Sequence, residues 1–190
     1  MDPARGPAPE TPSAAAQSSA KLAGRRIAAW CVDWLVVSGY ALALVPLGLV
    51  LSGHVVRLSP VAGNAVGLVV LVVPVVVWLA AWERGPGGAS PGKRMLRLRI
   101  EADGGTALGW RRSLVRSALK VGLPWELGHT MTFAFADPHA SRSLILLGSA
   151  SGVVSGALVV WYVVSLFVDT GRTPYDRATA SRVVRAGVVG

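Results

Sequence analysis

Three long apolar stretches limit what this chain can fold into more than any other feature. Residues 27–51, "IAAWCVDWLVVSGYALALVPLGLVL", contain one charge, Asp33; residues 61–82, "VAGNAVGLVVLVVPVVVWLAAW", contain none; residues 143–168 read "SLILLGSASGVVSGALVVWYVVSLFV". A helix of about 20 apolar residues crosses the roughly 30 Å hydrocarbon core of a bilayer. Within lipid the backbone must satisfy its own hydrogen bonds, so such stretches are expected as helices even where Val is frequent. Pro46 and Pro74 are tolerable there as kinks. The first stretch is too long for the apolar part of a secretory signal, and it is read as a retained span. Composition agrees: 52% of the 190 residues are hydrophobic and mean hydropathy is +0.51, outside the ordinary range of a soluble domain. A single cysteine, Cys31, leaves no intramolecular disulfide.

A fourth stretch, residues 117–136, "SALKVGLPWELGHTMTFAFA", has spanning length but carries Lys120, Glu126 and His129. Charge distribution decides how to read it. If it crosses, both termini lie on one side, and of the 19 basic residues all but Arg57 and Arg142 share that side. Basic residues accumulate on the cytoplasmic face of membrane proteins. If it does not cross, the basic C-terminal segment faces outward, against that rule. The expectation is therefore an all-α membrane protein with four transmembrane helices, at about 27–51, 61–82, 117–136 and 143–168, and both termini cytoplasmic. Trp30, Trp34, Trp78 and Trp82 then fall toward the cytoplasmic ends of the first two spans, where interfacial aromatic residues belong. The net charge of +9 follows the loops between spans, which argues against nucleic acid as a partner and for anionic lipid headgroups.

The segments between spans have their own patterns. Residues 1–20, rich in Pro, Ala and Ser, are expected to form a disordered cytoplasmic tail, and 186–190 a short C-terminal tail. "MLRLRIEADGGTAL" alternates Leu96, Leu98 and Ile100 with Arg97, Arg99 and Glu101 before Asp103-Gly104-Gly105, a short cytoplasmic strand and turn. In "GWRRSLVRSALK", Trp110, Leu114, Ala118 and Val121 share one helical face, which suggests an amphipathic interfacial helix. Lys93, Arg94, Arg97, Arg99, Arg111, Arg112 and Arg116 are read together as a basic cytoplasmic surface. Gly152 and Gly156 are spaced for close helix packing. "GPGGASPGKRM" places Gly87, Gly92 and Lys93 in the pattern of a phosphate-binding loop, but Arg94 replaces the hydroxyl that would hold Mg²⁺ and Pro91 has no N–H to donate. It follows a membrane helix and precedes a strand, the reverse of the required order, so it is read as a turn leading off the membrane.

Three stretches then line up: "RRIAAWCVDWLVV", with Arg26 at the mouth of the first span and Asp33 two turns further on the same face; "SPGKRMLRLRIEADGG"; and "GRTPYDRATASRVV", with Asp176. In order and spacing, over residues 21–185, they resemble the RDD family of small bacterial integral membrane proteins, named for one Arg and two Asp. Arg26 and Asp33 match the first two signature positions, and Asp176 is assigned to the third. The resemblance implies a multi-pass protein of the bacterial plasma membrane, for which transport of unidentified ligands is suggested. It does not speak to "GLPWELGHT", with Glu126 and His129 in the third span.

Site chemistry has to come from the residues themselves. Asp33 lies about 10 Å into the membrane at about 1.5 Å per residue, where a carboxylate needs a partner; Arg26, Arg116 or Lys120 are within reach. It is read either as an ion or proton site or as a buried ion pair that fixes helix register. Glu126 and His129 are helical neighbours just after Pro124 and are read either as a proton-passing pair or as a polar pair gluing helices. Asp176 is expected to anchor the C-terminal segment to an Arg of the cytoplasmic loop. A single Glu-x-x-His motif is too little for a di-metal site, so neither metal nor cofactor is expected. No Ser, His and Asp set suggests catalysis, so no enzyme is expected. Two functions remain open. One is a small cation- or proton-coupled transporter, homo-oligomeric because four spans enclose little room, in which Asp33, Glu126 and His129 carry charge while Arg26 and Lys120 tune them. The other is a non-transporting scaffold or accessory subunit whose basic face docks a partner or anionic lipid.

Overall fold

In the computed structural model, which describes residues 12–54 and 59–186, the apolar stretches are all helical. In chain order the elements are α1 (Pro12–His54), α2 (Pro60–Gly67), α3 (Val73–Arg84), α4 (Pro91–Met95), β1 (Leu98–Ala102), α5 (Trp110–Ser117), α6 (Leu123–Ala136), α7 (Arg142–Ser165), α8 (Pro174–Ala178) and β2 (Ser181–Arg185). Three stretches, Ser19–Pro46, Pro60–Arg84 and Arg142–Ser165, are long and apolar enough to cross a membrane. The fourth expected span is helical but is not among these, because Lys120, Glu126 and His129 lower its hydropathy. α1 begins at Pro12, inside the stretch expected as a disordered tail. The first eleven residues, Arg57 and residues 187–190 of the expected C-terminal tail lie outside the described residues.

Two prolines shape the bundle. A π-helical turn over Leu68–Val72 joins α2 to α3 just before Pro74, and another over Ala118–Gly122 joins α5 to α6 just before Pro124. Proline has no N–H for the carbonyl four residues back, and a π-turn absorbs the displaced backbone. Freed carbonyls find partners on neighbouring helices. The Tyr40 hydroxyl of α1 donates to the Val70 carbonyl at 2.6 Å, and the Tyr162 hydroxyl of α7 donates to that of Leu119 at 2.8 Å. Ser155 of α7 donates to the Pro124 carbonyl at 2.7 Å.

Small residues set the closest helix approaches. A Cβ on Gly148 would meet Ala134 at 2.6 Å, and one on Gly152 would meet the Met131 sulfur, so α6 and α7 pack through Gly148 and Gly152. The expected Gly152 and Gly156 pair is thereby corrected: Gly156 faces open space. On the other side of α6, α2 approaches through Gly63 and Gly67, under Phe133 and His129.

At the end of the bundle where α3 stops, a small cap covers the helices. β1 pairs antiparallel with β2, Leu98 opposite Arg185 and Ala102 opposite Ser181. A strand runs here over Leu98–Ala102, with Leu96 and Arg97 in the turn before it, and its partner is the C-terminal segment. Leu98, Ile100, Ala102, Leu108 and Val183 pack with Ala29 of α1 into one apolar core. A second core, Val37, Val75, Leu79 and Val121 with Trp34, Trp78 and Trp125, lies between the helices. Gly88, at φ +55°, accepts from Ile100 N–H at 2.6 Å, and a Cβ there would stand 2.7 Å from the Ile100 carbonyl, so only glycine fits.

Candidate functional site

The charged groups at the cap gather into one buried cluster. Glu83, in the last turn of α3, is fully buried; its Oε1 accepts from Lys93 Nζ and its Oε2 from Arg116 Nη1, each at 2.8 Å. Arg116 reaches on to Asp176 Oδ1, at 2.5 Å from Nη2 and 3.1 Å from Nε, and lies over the Tyr175 ring at 5.1 Å. Asp176 Oδ2 takes Arg26 Nη2 at 2.5 Å, and Arg26 Nη1 donates to the Gly171 carbonyl at 2.6 Å. Thr173 and Asp176 form a capping box that opens α8, so this carboxylate also accepts from the Thr173 backbone. The chain of contacts runs from Lys93 through Glu83, Arg116 and Asp176 to Arg26. It ties α4, α3, α5, α8 and α1 together.

Asp33 belongs to the same region but has different partners. Its Oδ1 accepts from Gly92 N–H at 2.8 Å and its Oδ2 from the Ser90 hydroxyl at 2.6 Å. The loop that resembled a phosphate cradle thus turns its N–H toward a carboxylate of its own chain, and its Lys93 toward Glu83. A Cβ on Gly92 would run into the Ala29 carbonyl, which explains glycine at this position.

Burial and charge work against each other here. Burial, the largest influence on Lys93, pushes its ammonium down; Glu83 opposes this, Lys120 and Arg116 add repulsion, and the outcome is about 8. For Arg116 burial also opposes charge, but Glu83 and Asp176 outweigh it and hold the guanidinium firmly protonated, above its ordinary value. Burial would raise Asp176; Arg116 and Arg26 outweigh it and keep the carboxylate well below its usual range.

Several expectations need correction. Lys93 and Arg116 do not belong to a basic surface: they are 6% and 1% exposed, because Glu83 and Asp176 draw them inward. Arg94, Arg97, Arg99, Arg111 and Arg112 are exposed. α5 turns its polar Ser113, Arg116 and Ser117 inward and leaves Trp110, Arg111 and Arg112 outside, so Arg116 departs from the basic face expected of this helix. Asp33 finds a hydroxyl and a backbone N–H rather than Arg26, Arg116 or Lys120. Lys120 is 3.8 Å from Glu83, not from Asp33. Glu83, at the hub, was missed, since it sits at the end of an apolar stretch beside Arg84 and looks like an interfacial charge.

A second polar group lies within the helices. Arg116 to Glu126 is about 15 Å of helix at about 1.5 Å per residue. There Asn64 of α2 donates its amide to Glu126 Oε1 at 2.7 Å and, more weakly, to Thr130 Oγ1 at 3.3 Å. Trp125 Nε1 donates to His129 Nε2 at 3.1 Å. Three buried atoms of this group, Asn64 Oδ1, Glu126 Oε2 and His129 Nδ1, have no hydrogen-bond partner among the described residues. Asp33, Glu83 and Asp176, in contrast, have every carboxylate oxygen engaged. Among the described residues no three His, Cys, Asp or Glu side chains gather as a metal site would require.

Long apolar helices with their charges folded inward at one end define a helical membrane protein. The RDD family model matches residues 21–180, which include Arg26, Asp33 and Asp176, and the chain belongs to the RDD family. No curated protein and no solved structure matches it.

Proposed function

We propose that this RDD-family protein is a small cation- or proton-coupled transporter of the bacterial plasma membrane, without enzymatic activity. It crosses the membrane four times with both termini cytoplasmic, and it works as a homo-oligomer. The fourth crossing is the helix through α6, and the support is the placement of basic residues on one side. The observation that carries the transport reading is the group of unpartnered polar atoms on Asn64, Glu126 and His129. Polar atoms in lipid are costly when unfilled, and two open acceptor oxygens beside an imidazole suit a passing cation or proton. Glu126 and His129 carry the charge. Asp33, with both oxygens engaged, positions α4 against α1, and the cluster around Glu83 holds the cap in place.

The test is flux into liposomes that contain the purified protein and an internal pH dye, under imposed Na⁺, K⁺ and pH gradients. Wild type should give a flux that Glu126→Gln abolishes while insertion and folding stay intact. Equal flux from Glu126→Gln overturns the reading. A second reading, a scaffold that docks a partner or anionic lipid, has the exposed Arg94, Arg97, Arg99, Arg111 and Arg112 in its favour. It requires that charge reversal at Arg97, Arg99, Arg111 and Arg112 release a co-purifying partner, and no flux under any gradient.

A further inference from the structure

A cavity of about 360 Å³ opens between α1, α6 and α7, and Asn64, Glu126 and His129 are not among its lining residues. Four cations, Arg26, Lys93, Arg116 and Lys120, line its cap end, and no carboxylate lines it. Three of them are bonded to Glu83 or Asp176. Lys120 is different: its side chain is only 7% exposed, its nearest carboxylate oxygen is 3.8 Å away, and its ammonium makes no hydrogen bond among the described residues. Four cations against three nearby carboxylates, Glu83, Asp176 and Asp33, leave one positive charge in surplus at a largely apolar wall, and such charge calls for an anion.

Further along, the wall becomes apolar, with Trp30 and Trp34 of α1, Trp125 of α6 and Val159 of α7. Gly128 leaves this arm open, since a Cβ there would meet nothing within 4 Å. A cationic head joined to an apolar arm that opens between helices fits one ligand class: a phosphodiester carrying acyl chains. Free phosphate would use only the head, and a zwitterionic phospholipid would bring a cation of its own to a head that is already cationic. The volume lies in the range of small-ligand sites, roughly 300–1,000 Å³, enough for a headgroup with the chains running out between α1 and α7.

We propose that this cavity is a specific site for one anionic phospholipid, its phosphate held by Lys120 beside Arg26 and its chains lying on Trp30, Trp34 and Trp125. The site touches the Glu126 group only through Trp125, whose indole N–H bonds His129, and the proposal stands whether or not the protein transports.

Quenching of tryptophan fluorescence by lipids with brominated chains tests this, with the full chain in nanodiscs of neutral phosphatidylcholine. Brominated phosphatidylglycerol should quench at a mole fraction about tenfold lower than brominated phosphatidylcholine, because both carry the phosphate but only phosphatidylcholine brings a choline cation that competes with Lys120 for it, and the lost charge-assisted interaction is worth about that factor. Lys120→Gln should remove most of that preference. Gly128→Leu, which fills the arm without touching a cation, should abolish the low-concentration quenching by phosphatidylglycerol. Equal quenching by the two lipids, or a Gly128→Leu variant that behaves as wild type, overturns the proposal. Displacement of the lipid by inorganic phosphate at equal concentration would show an anion site indifferent to acyl chains, and overturns it too.

Discussion

Glu83→Gln is the most damaging single-atom exchange the cluster allows. The wild-type carboxylate places one oxygen on Lys93 and the other on Arg116, each at 2.8 Å, with Lys120 at 3.8 Å from the first. Glutamine keeps one acceptor, turns the other into a donor that faces a donor, and leaves three buried cations without the charge between them. Removing one partner of a buried ion pair costs about 3–5 kcal/mol, and with three cations affected the upper part of that range is expected. Lys93→Met should cost less, below about 3 kcal/mol, because Glu83 keeps Arg116 while a poorly solvated like charge disappears. The double variant should then be more stable than the sum of the two losses, since the lysine is a liability once its partner is gone. Denaturant titration in detergent micelles gives the three free energies. A Glu83→Gln variant within about 0.5 kcal/mol of wild type, or one less damaged than Lys93→Met, would refute the account of Glu83 as the hub.

Three further expectations use the same assay. Lys93 titrates at about 8 in the fold against 10.5 for the free side chain, so between those pH values the unfolded chain holds more protons and stability rises with pH; Lys93→Met should lack that rise, and a wild type without it contradicts the burial argument. Gly92→Ala drives a methyl into the Ala29 carbonyl and should cost at least about 1–3 kcal/mol, whereas Gly24→Ala in α1, where a Cβ meets nothing within 4 Å, should be neutral or stabilising. Tyr40→Phe strands the Val70 carbonyl that Pro74 releases and should cost about 1–3 kcal/mol; in a Pro74→Ala background that cost should shrink.

Much of the helical layout could be read in advance because it is written in uninterrupted apolar runs, and a bilayer admits few other structures for them. Pro74 and Pro124 announced the interruptions, though not that Tyr40 and Tyr162 would take up carbonyls near them, since such contacts depend on helix rotation. What failed was orientation. A residue such as Arg116 looks superficial because free cations seek water; only a fold that brings Glu83 and Asp176 to it makes burial favourable, and those partners lie 33 and 60 residues away. The pairing of β1 with β2 was hidden for the same reason: the alternation of 96–101 marks a strand, but its partner lies beyond four further helices, α5 to α8. Asp33 stood out as a charge in an apolar helix; nothing near it in sequence pointed to Ser90 and the Gly92 N–H.

The central structural claim is that Arg26 of the first helix and Asp176 near the C-terminus are held together in one buried cluster. A double-mutant cycle tests it most directly, with unfolding free energies for wild type, Arg26→Ala, Asp176→Ala and the pair. The 2.5 Å contact predicts a coupling energy of at least about 1.5 kcal/mol. Additive losses, within about 0.5 kcal/mol, would mean that the two ends of the chain do not meet as described.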